Sequence, residues 1–497
     1  MKFKRLLSIL LPLALLSLLM VDILNVKAQS RGDWTTPYRL STENSEAAEA
    51  ALAVDNYGYV HAFWPEQKPD TRSTIEYARF DGETWSIPND IHVTAPDDLI
   101  NNISVAIDNN NILHVVWTEG LAGRTMYTSA PAYQTSTAKN WPKALRLGLP
   151  PAGESLIQVD SNGIFHVLYT VKSGDSAGLY YVKSMDSGLI WSSPVWIDPD
   201  IPPNNAPGSV QFDLDQNNNL HAAWYYVALD FTGADWVRYS HSLDGGTTWS
   251  APFTIDKLDE SVVTGPDEGE KTLSSAQPRM IVNGETVHII WAGGQLHYRN
   301  HRYSLDAGQT WSLTARVFGD LNGQAGDGFA IDEAGRVHFF SQIRQPRGIY
   351  HMVWDHNQWT TPELIYLISL SDGDPIGSRI HAHRTFPAIR AGNQIVLTFT
   401  DPPGTPGRRL FSINRTLDDL PALPLEPTPV TTEEAREEVI PASTPTTRVT
   451  QALGDFEGND VIESNSVTTN GIWIGSMLSL VMILGTLGYW MLFRHRH

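Results

Sequence analysis

Two glutamates occupy matching places in a repeating sequence, in Trp64-Pro65-Glu66 and Trp117-Thr118-Glu119, each carboxylate two residues past a tryptophan. Two carboxylates at one lip of a site can perform acid–base hydrolysis of a glycosidic bond or accept hydrogen bonds from sugar hydroxyls. Arg344 and Arg347 could clamp an anionic sugar, because the guanidinium fork matches a carboxylate. The plainer reading of all four is a charged, solvated rim.

Six histidines form the second chemical pattern: His61, His114, His166, His221, His288 and His338, spaced 53, 52, 55, 67 and 50 residues apart. A metal site needs three or four ligands within about 2 Å of one point. Histidines repeated once per structural unit are held apart by the repeat, so each is expected to bond within its own unit. Asp213 to Asn219 resembles the start of a calcium loop but has no glycine at the sixth position and Trp224 at the twelfth, which favours a hairpin turn. No metal and no cofactor is expected. With no cysteine in 497 residues, disulfides and thiolate chemistry are excluded.

These residues ride on an all-β repeat. Apolar stretches end in Asp or Asn turns and continue into β-rich stretches with a histidine and, usually, a terminal aromatic residue. The copies start at Ala53, Ala106, Gln158, Gln211, Met280, Ala330 and Ala388. Each is a hairpin, strands A and B. A Tyr-rich strand C follows, then a polar turn and a strand D marked by Trp, Pro three residues on and an apolar residue three further, as in Trp85, Pro88 and Ile91. A period of 50 to 67 residues with four strands is that of a propeller blade. Trp34, Pro37 and Leu40 form a strand D that precedes any hairpin, while the seventh hairpin is followed by a strand C alone, Leu410 to Ile413. Joining the two closes a seven-bladed ring; six blades with one irregular repeat is the alternative.

Three C–D turns read Ser-x-Asp-x-Gly-x-x-Trp: Ser184, Asp186, Gly188 and Trp191; Ser242, Asp244, Gly246 and Trp249; Ser304, Asp306, Gly308 and Trp311. The short aspartate can accept amides of its own loop, glycine takes positive φ, and tryptophan can wedge against a neighbouring blade. In these turns the chain resembles the Asp-box (BNR repeat) proteins, which include the sialidases, over about residues 33–416. In that family the box is structural and lies away from the active site. A sialidase relationship would imply three arginines on the substrate carboxylate, a Tyr–Glu nucleophile pair, an Asp acid or base, and six blades. Tyr38-Arg39-Leu40-Ser41 lacks the proline of the family's first arginine motif. Arg39 also stands where other repeats carry Asp90, Trp196, Thr254 and Leu364. With seven repeats and no placeable Tyr–Glu pair, the resemblance is to the fold and not to an orthodox sialidase.

The ends suggest where the propeller works. Residues 1–28 have the charged start, apolar run and small-residue site of a secretory signal. Residues 471–493 are 23 uncharged residues flanked by Trp473, Tyr489 and Trp490, the expectation for one transmembrane helix, with 494–497 as a basic cytoplasmic tail. Between them, 418–470 carry 11 Asp or Glu against 2 Arg, and six Pro, the composition of a disordered stalk. The expected arrangement is a single-pass plasma-membrane protein with residues 29–417 as an extracellular domain. A net charge of −20 argues against nucleic acid. The expected partner is an extracellular glycan or protein; the alternative is a sialidase-like exo-glycoside hydrolase. Any ligand site should lie on the face of the B–C and D–A loops, around the central channel.

Overall fold

The computed structural model describes residues 33–429, apart from residues 44, 173–175, 202–204, 229–233, 258–274, 294–297, 323–325, 345, 368–384 and 402–407. The expected signal, membrane span and tail lie outside the described residues, as does most of the expected stalk. Among the described residues, no helix is long and apolar enough to cross a membrane.

Seven antiparallel sheets follow one another along the chain, with their strands in sequence order except for the outermost strand of the seventh. The second blade shows the plan: Ile100–Ile107, Ile112–Glu119, Arg124–Pro131 and Leu145–Arg146. In the first blade the innermost strand is split into Glu46–Ala47 and Ala51–Val54, both on Val60–Gln67. In the sixth, Gln358–Trp359 and Glu363–Tyr366 share the outer edge of Arg347–Asp355. The seventh blade is completed from the N-terminus: Tyr38 pairs with Ser412 and Arg39 with Phe411. The seven-bladed ring with N-terminal closure is therefore the architecture.

Strand B of each blade is apolar on both faces, as in Val60–Gln67, because the sheet is sandwiched between two others and has no solvent face. Alternate residues serve opposite interfaces. Ala62 and Trp64 pack towards the seventh blade with Ala388, Val396 and Leu410. Phe63 packs towards the second with Val115, Trp117 and Trp141. Seven such clusters join consecutive blades, the last joining the seventh to the first, so no blade has an unpartnered face. Trp64, Trp117, Trp224 and Trp291 are fully buried in them; truncating one to Ala would cost about 3–5 kcal/mol.

The six histidines bond within their blades. His61, His114, His166 and His221 meet a strand C tyrosine hydroxyl through Nδ1, at 2.8, 2.9, 2.7 and 2.7 Å. His288 and His338 meet His301 and His351 instead, at 3.1 and 2.9 Å. The A–B turn aspartate bonds the other ring nitrogen of His61 (Asp55, 3.1 Å) and His338 (Asp332, 3.0 Å) and faces that of His114, His166 and His221 at 3.5 to 3.7 Å. The calcium-like segment is such a turn: Asp215 Oδ1 accepts the amides of Asn217 and Asn219, both at 2.8 Å.

The Ser-x-Asp-x-Gly-x-x-Trp turns work as their residue types suggest. Ser304 Oγ donates to Asp306 Oδ1 at 2.7 Å and accepts the Gly308 amide at 2.8 Å, while Asp306 Oδ1 accepts the Thr310 amide at 2.8 Å. Ser242 repeats the geometry with Asp244 at 2.9 Å and Gly246 at 2.8 Å, and Ser184 with Asp186 at 2.7 Å and Gly188 at 2.9 Å. Gly308 sits at φ +85° against the Tyr239 hydroxyl of the preceding blade, where a β-carbon would overlap it. Trp311 meets Tyr239 edge-on at 4.8 Å, and Trp249 meets Tyr181 at 5.4 Å. Trp191 packs partly buried between the second and third blades. The turns thus lock neighbouring blades together.

The chain beyond Leu417 remains on the propeller. Leu423 N donates to Ala391 O at 2.8 Å and Glu426 N to Asn56 O at 2.9 Å. Arg336 Nη1 donates to Asp419 at 2.6 Å. The segment thus meets the A–B turn of the sixth blade through the Asp419 carboxylate and those of the seventh and first through its backbone amides, and runs as a strap across that face.

Candidate functional site: a groove on the face of the long loops

The seven innermost strands line a central channel with a cavity of about 410 Å³, to which residues such as Val105, Gln158, Asp213, Met280 and Asp327 contribute. Ala51, Asn102, Ile103 and Phe386 line both this channel and a second cavity of about 340 Å³ towards the B–C and D–A loops. That cavity shares Glu49, Leu99, Asn101 and Asn102 with a larger groove of about 980 Å³ over the second and third blades. The groove is walled by the B–C turn Gly120–Gly123, the D–A connection Pro150–Glu154, and Tyr169, Lys172 and Tyr180 of the third blade.

Irregular backbone shapes the mouth. Asn102 has φ +47°, and the pairing of its strand slips between Asn101 and Ser104. The same device recurs at Ser209 (φ +45°) and Gln277 (φ +53°), within slips of the innermost strands of the fourth and fifth blades. Such bulges turn the strand and re-aim side chains. The Asn102 side-chain amide donates to Ser155 O at 3.2 Å, tying two blades together at the groove floor. Glu154 is held nearby by the amides of Ser209 at 3.3 Å and Val210 at 3.2 Å.

Glu66 and Glu119 do lie at the same lip, but their carboxylates are occupied. Glu66 is fully buried; it accepts Trp64 Nε1 at 2.9 Å, Thr42 N at 3.0 Å and Lys68 Nζ at 2.9 Å, and also the Thr42 hydroxyl. Burial pushes its pKa up, but these bonds outweigh it and hold the carboxyl below its ordinary value. Glu119 accepts His92 Nε2 at 2.7 Å, Trp117 Nε1 at 3.2 Å and Arg124 Nη2 at 3.1 Å. The His92 bond, opposed by burial and helped by Trp117 and Arg124, lowers it to about 2. A carboxyl this acidic stays ionised and cannot deliver a proton near neutral pH. The pattern Trp-x-Glu is a way of satisfying a buried indole N–H. In the fifth blade the same need is met from the preceding blade, by Asp256 on Trp291 at 2.7 Å, while in the fourth Tyr226 stands at the Glu position and donates its hydroxyl to Asp198 of the preceding blade at 2.6 Å.

Arg347 sits at the B–C hairpin end of the sixth blade, where its backbone pairs with that of Arg344. It lines none of the three cavities described above; the Arg344 side chain lies outside the described residues. Arg39 turns back on its own segment, donating to Thr42 O at 2.6 Å. The structure therefore brings Glu66 and Glu119 to one face and leaves the arginine pair in another blade.

Sequence reasoning missed the two tyrosines that wall the groove and the tryptophan stacked just beyond them. Tyr169, Tyr180 and Trp196 are direct neighbours across strands B, C and D of the third blade. Their rings stack, with centroids 5.5 and 5.8 Å apart and planes 17° and 18° from parallel. Burial, with Tyr180 adding to it, pushes the Tyr169 hydroxyl up to about 12, so it remains a neutral donor. The signal was Trp196 itself, a large aromatic residue at a strand D position that is polar in most repeats.

No family model matches the chain. No curated protein matches it. Among solved structures, a protein of unknown function from Dyadobacter fermentans is 14% identical over 78% of this chain and 99% of that one, with a TM-score of 0.46. An ulvan lyase, described as a new family of polysaccharide lyase, is 13% identical over 76% of this chain and 98% of that one, with a TM-score of 0.48. The NanB sialidase from Streptococcus pneumoniae is 12% identical over 78% of this chain and 71% of that one, with a TM-score of 0.43. Likenesses this distant say nothing of what this chain binds or turns over.

Proposed function

We propose that this chain is a recognition propeller that takes a glycan in the groove over its second and third blades, displayed outside the cell by the signal, stalk and plasma-membrane span expected from its sequence. The observation that carries the reading is the groove itself: about 980 Å³, continuous in its lining with the channel mouth, and walled by stacked tyrosines beside amides and loop glycines. Concave sites that combine apolar walls with a few placed polar groups are ligand sites. Binding without turnover is favoured because Glu66 and Glu119 are consumed by internal hydrogen bonds.

A glycan array probed with the purified full chain, run beside hydrolysis of a fluorogenic sialoside, tests this. The reading predicts array binding with no turnover. Sialoside turnover lost in Glu66→Gln or Arg347→Ala would make the protein a hydrolase, and silence in both assays would overturn glycan recognition.

A further inference from the structure

The wall of the groove points to the kind of glycan. In six blades the outermost member of the cross-strand row that starts at the strand B aromatic residue is polar: Asp90, Arg146, Thr254, Arg316, Glu363 and Arg39. In the third blade it is Trp196, 42% exposed, stacked on Tyr180 just beyond the outer end of the groove's lining. Trp196 has one face against Tyr180, and its indole N–H lies over Gly178, where a β-carbon would collide with it. Its exposed surface is therefore the other face, held flat by the stack behind it. An indole fixed in this way is a platform for the C–H face of a pyranose ring, because a rigid aromatic group offers area at small entropic cost.

The groove is also elongated. Its lining runs from Asn101 and Asn102 on the innermost strand, through Thr118 and Tyr169 on strand B, to Tyr180 on strand C and Pro194 beside strand D. A single terminal sugar at the channel axis would not reach the stack; a chain laid radially would. Charge then chooses the chain. The lining carries Glu49, Asp97 and Glu154 against Lys172, on a protein of net charge −20. A polyanion would meet net repulsion, whereas hydroxyls can donate to carboxylates and pair with the exposed Asn101 amide.

We infer, resting on the glycan-recognition reading, that the groove binds an extended neutral polysaccharide whose outermost contacted sugar stacks on Trp196. Affinity electrophoresis of the full chain through gels containing laminarin, xylan or mannan, against polygalacturonate or alginate, tests it. At least one neutral polymer should retard the protein and neither acidic one should. Trp196→Ala should weaken that retardation about tenfold, equivalent to about 1.4 kcal/mol; Trp196→Phe should restore most of it, and Gly178→Ala, which displaces the indole without removing it, should behave like the Ala variant. Affinity for oligomers of the bound polymer should rise from two to about five units, as a radial groove requires. Unchanged retardation of Trp196→Ala, or tighter binding of an acidic polymer, would overturn the inference while leaving recognition standing. No retardation by any of the five would remove the recognition reading with it.

Discussion

Acid should loosen this propeller through its buried histidines, at a pH where most of its carboxylates are still ionised. Burial holds His221 at about 4, against the attraction of Asp215 and with added repulsion from His241, and burial alone holds His288 at about 4. Burial likewise lowers His61, His114, His166, His301 and His351. An unfolded histidine titrates near 6.5, so between about pH 6.5 and 4 the unfolded chain binds more protons than the folded one. The stabilisation is complete above that window and is lost as pH falls through it. For a histidine held near 4, the loss between neutral pH and about pH 5 is roughly 2 kcal/mol, rising to roughly 3 kcal/mol below the folded value. Asp213 acts in the opposite sense. Burial raises it to about 6 despite amide bonds from Val282 and Leu214. It takes up a proton in the folded state first, returning roughly 1 kcal/mol by about pH 5. His221 and His288 outweigh it, and the other lowered histidines add to the loss. Urea titrations followed by tryptophan fluorescence at about pH 7.5 and about pH 5 measure the difference. His288→Gln should flatten the pH dependence by roughly 2 kcal/mol whatever it does to stability at neutral pH. Equal or greater stability at about pH 5, or an unaltered slope in the variant, would refute the account of buried neutral imidazoles.

Three further perturbations separate structural from ligand-binding groups. Gly308→Ala should cost about 2–4 kcal/mol in urea unfolding, because it combines positive φ with overlap on Tyr239, while Gly319→Ala, at φ +60° with open space around it, should cost only about 1 kcal/mol. Glu119→Gln breaks the charged bonds to His92 and Arg124 and should lower stability by about 1–3 kcal/mol with glycan retardation unchanged, since the residue does not line the groove. A chain ending at Leu417 should lose about 1–2 kcal/mol relative to one ending at Pro429, read as a lowered melting temperature, through the strap's bonds to Ala391 and Asn56.

The architecture was readable because each blade repeats its own instructions. The histidine of strand B, the turn aspartate and the displaced Trp34–Leu40 strand specify pairing and closure with local residues alone. The site was less readable for a physical reason. Glu66 and Glu119 have the residue type and placement of reacting carboxylates, but what decides their role is the indole two residues away, and nothing in Trp-x-Glu reveals that the side chains fold back on one another. The αL positions of the bulges, Asn102, Ser209 and Gln277, are not themselves glycines, so the residue type does not advertise them. Trp196 stood in plain view as a variable outer-strand residue; only cross-strand register stacks it on Tyr180 and Tyr169. The strap at 418–426 has the acidic, Pro-rich composition of a linker, and its attachment, through the Arg336–Asp419 pair and backbone amides, is not encoded in composition.

Hydrogen–deuterium exchange of the full chain, with and without a saturating oligomer of the neutral polymer it binds, locates the ligand directly. The account predicts slowed exchange in Gly120–Gly123 and Pro150–Glu154 and in strand C of the third blade around Tyr180, with the sixth-blade hairpin at Arg347 unaffected. Protection centred on Arg347, or spread around the channel while the third blade stays unchanged, would contradict it.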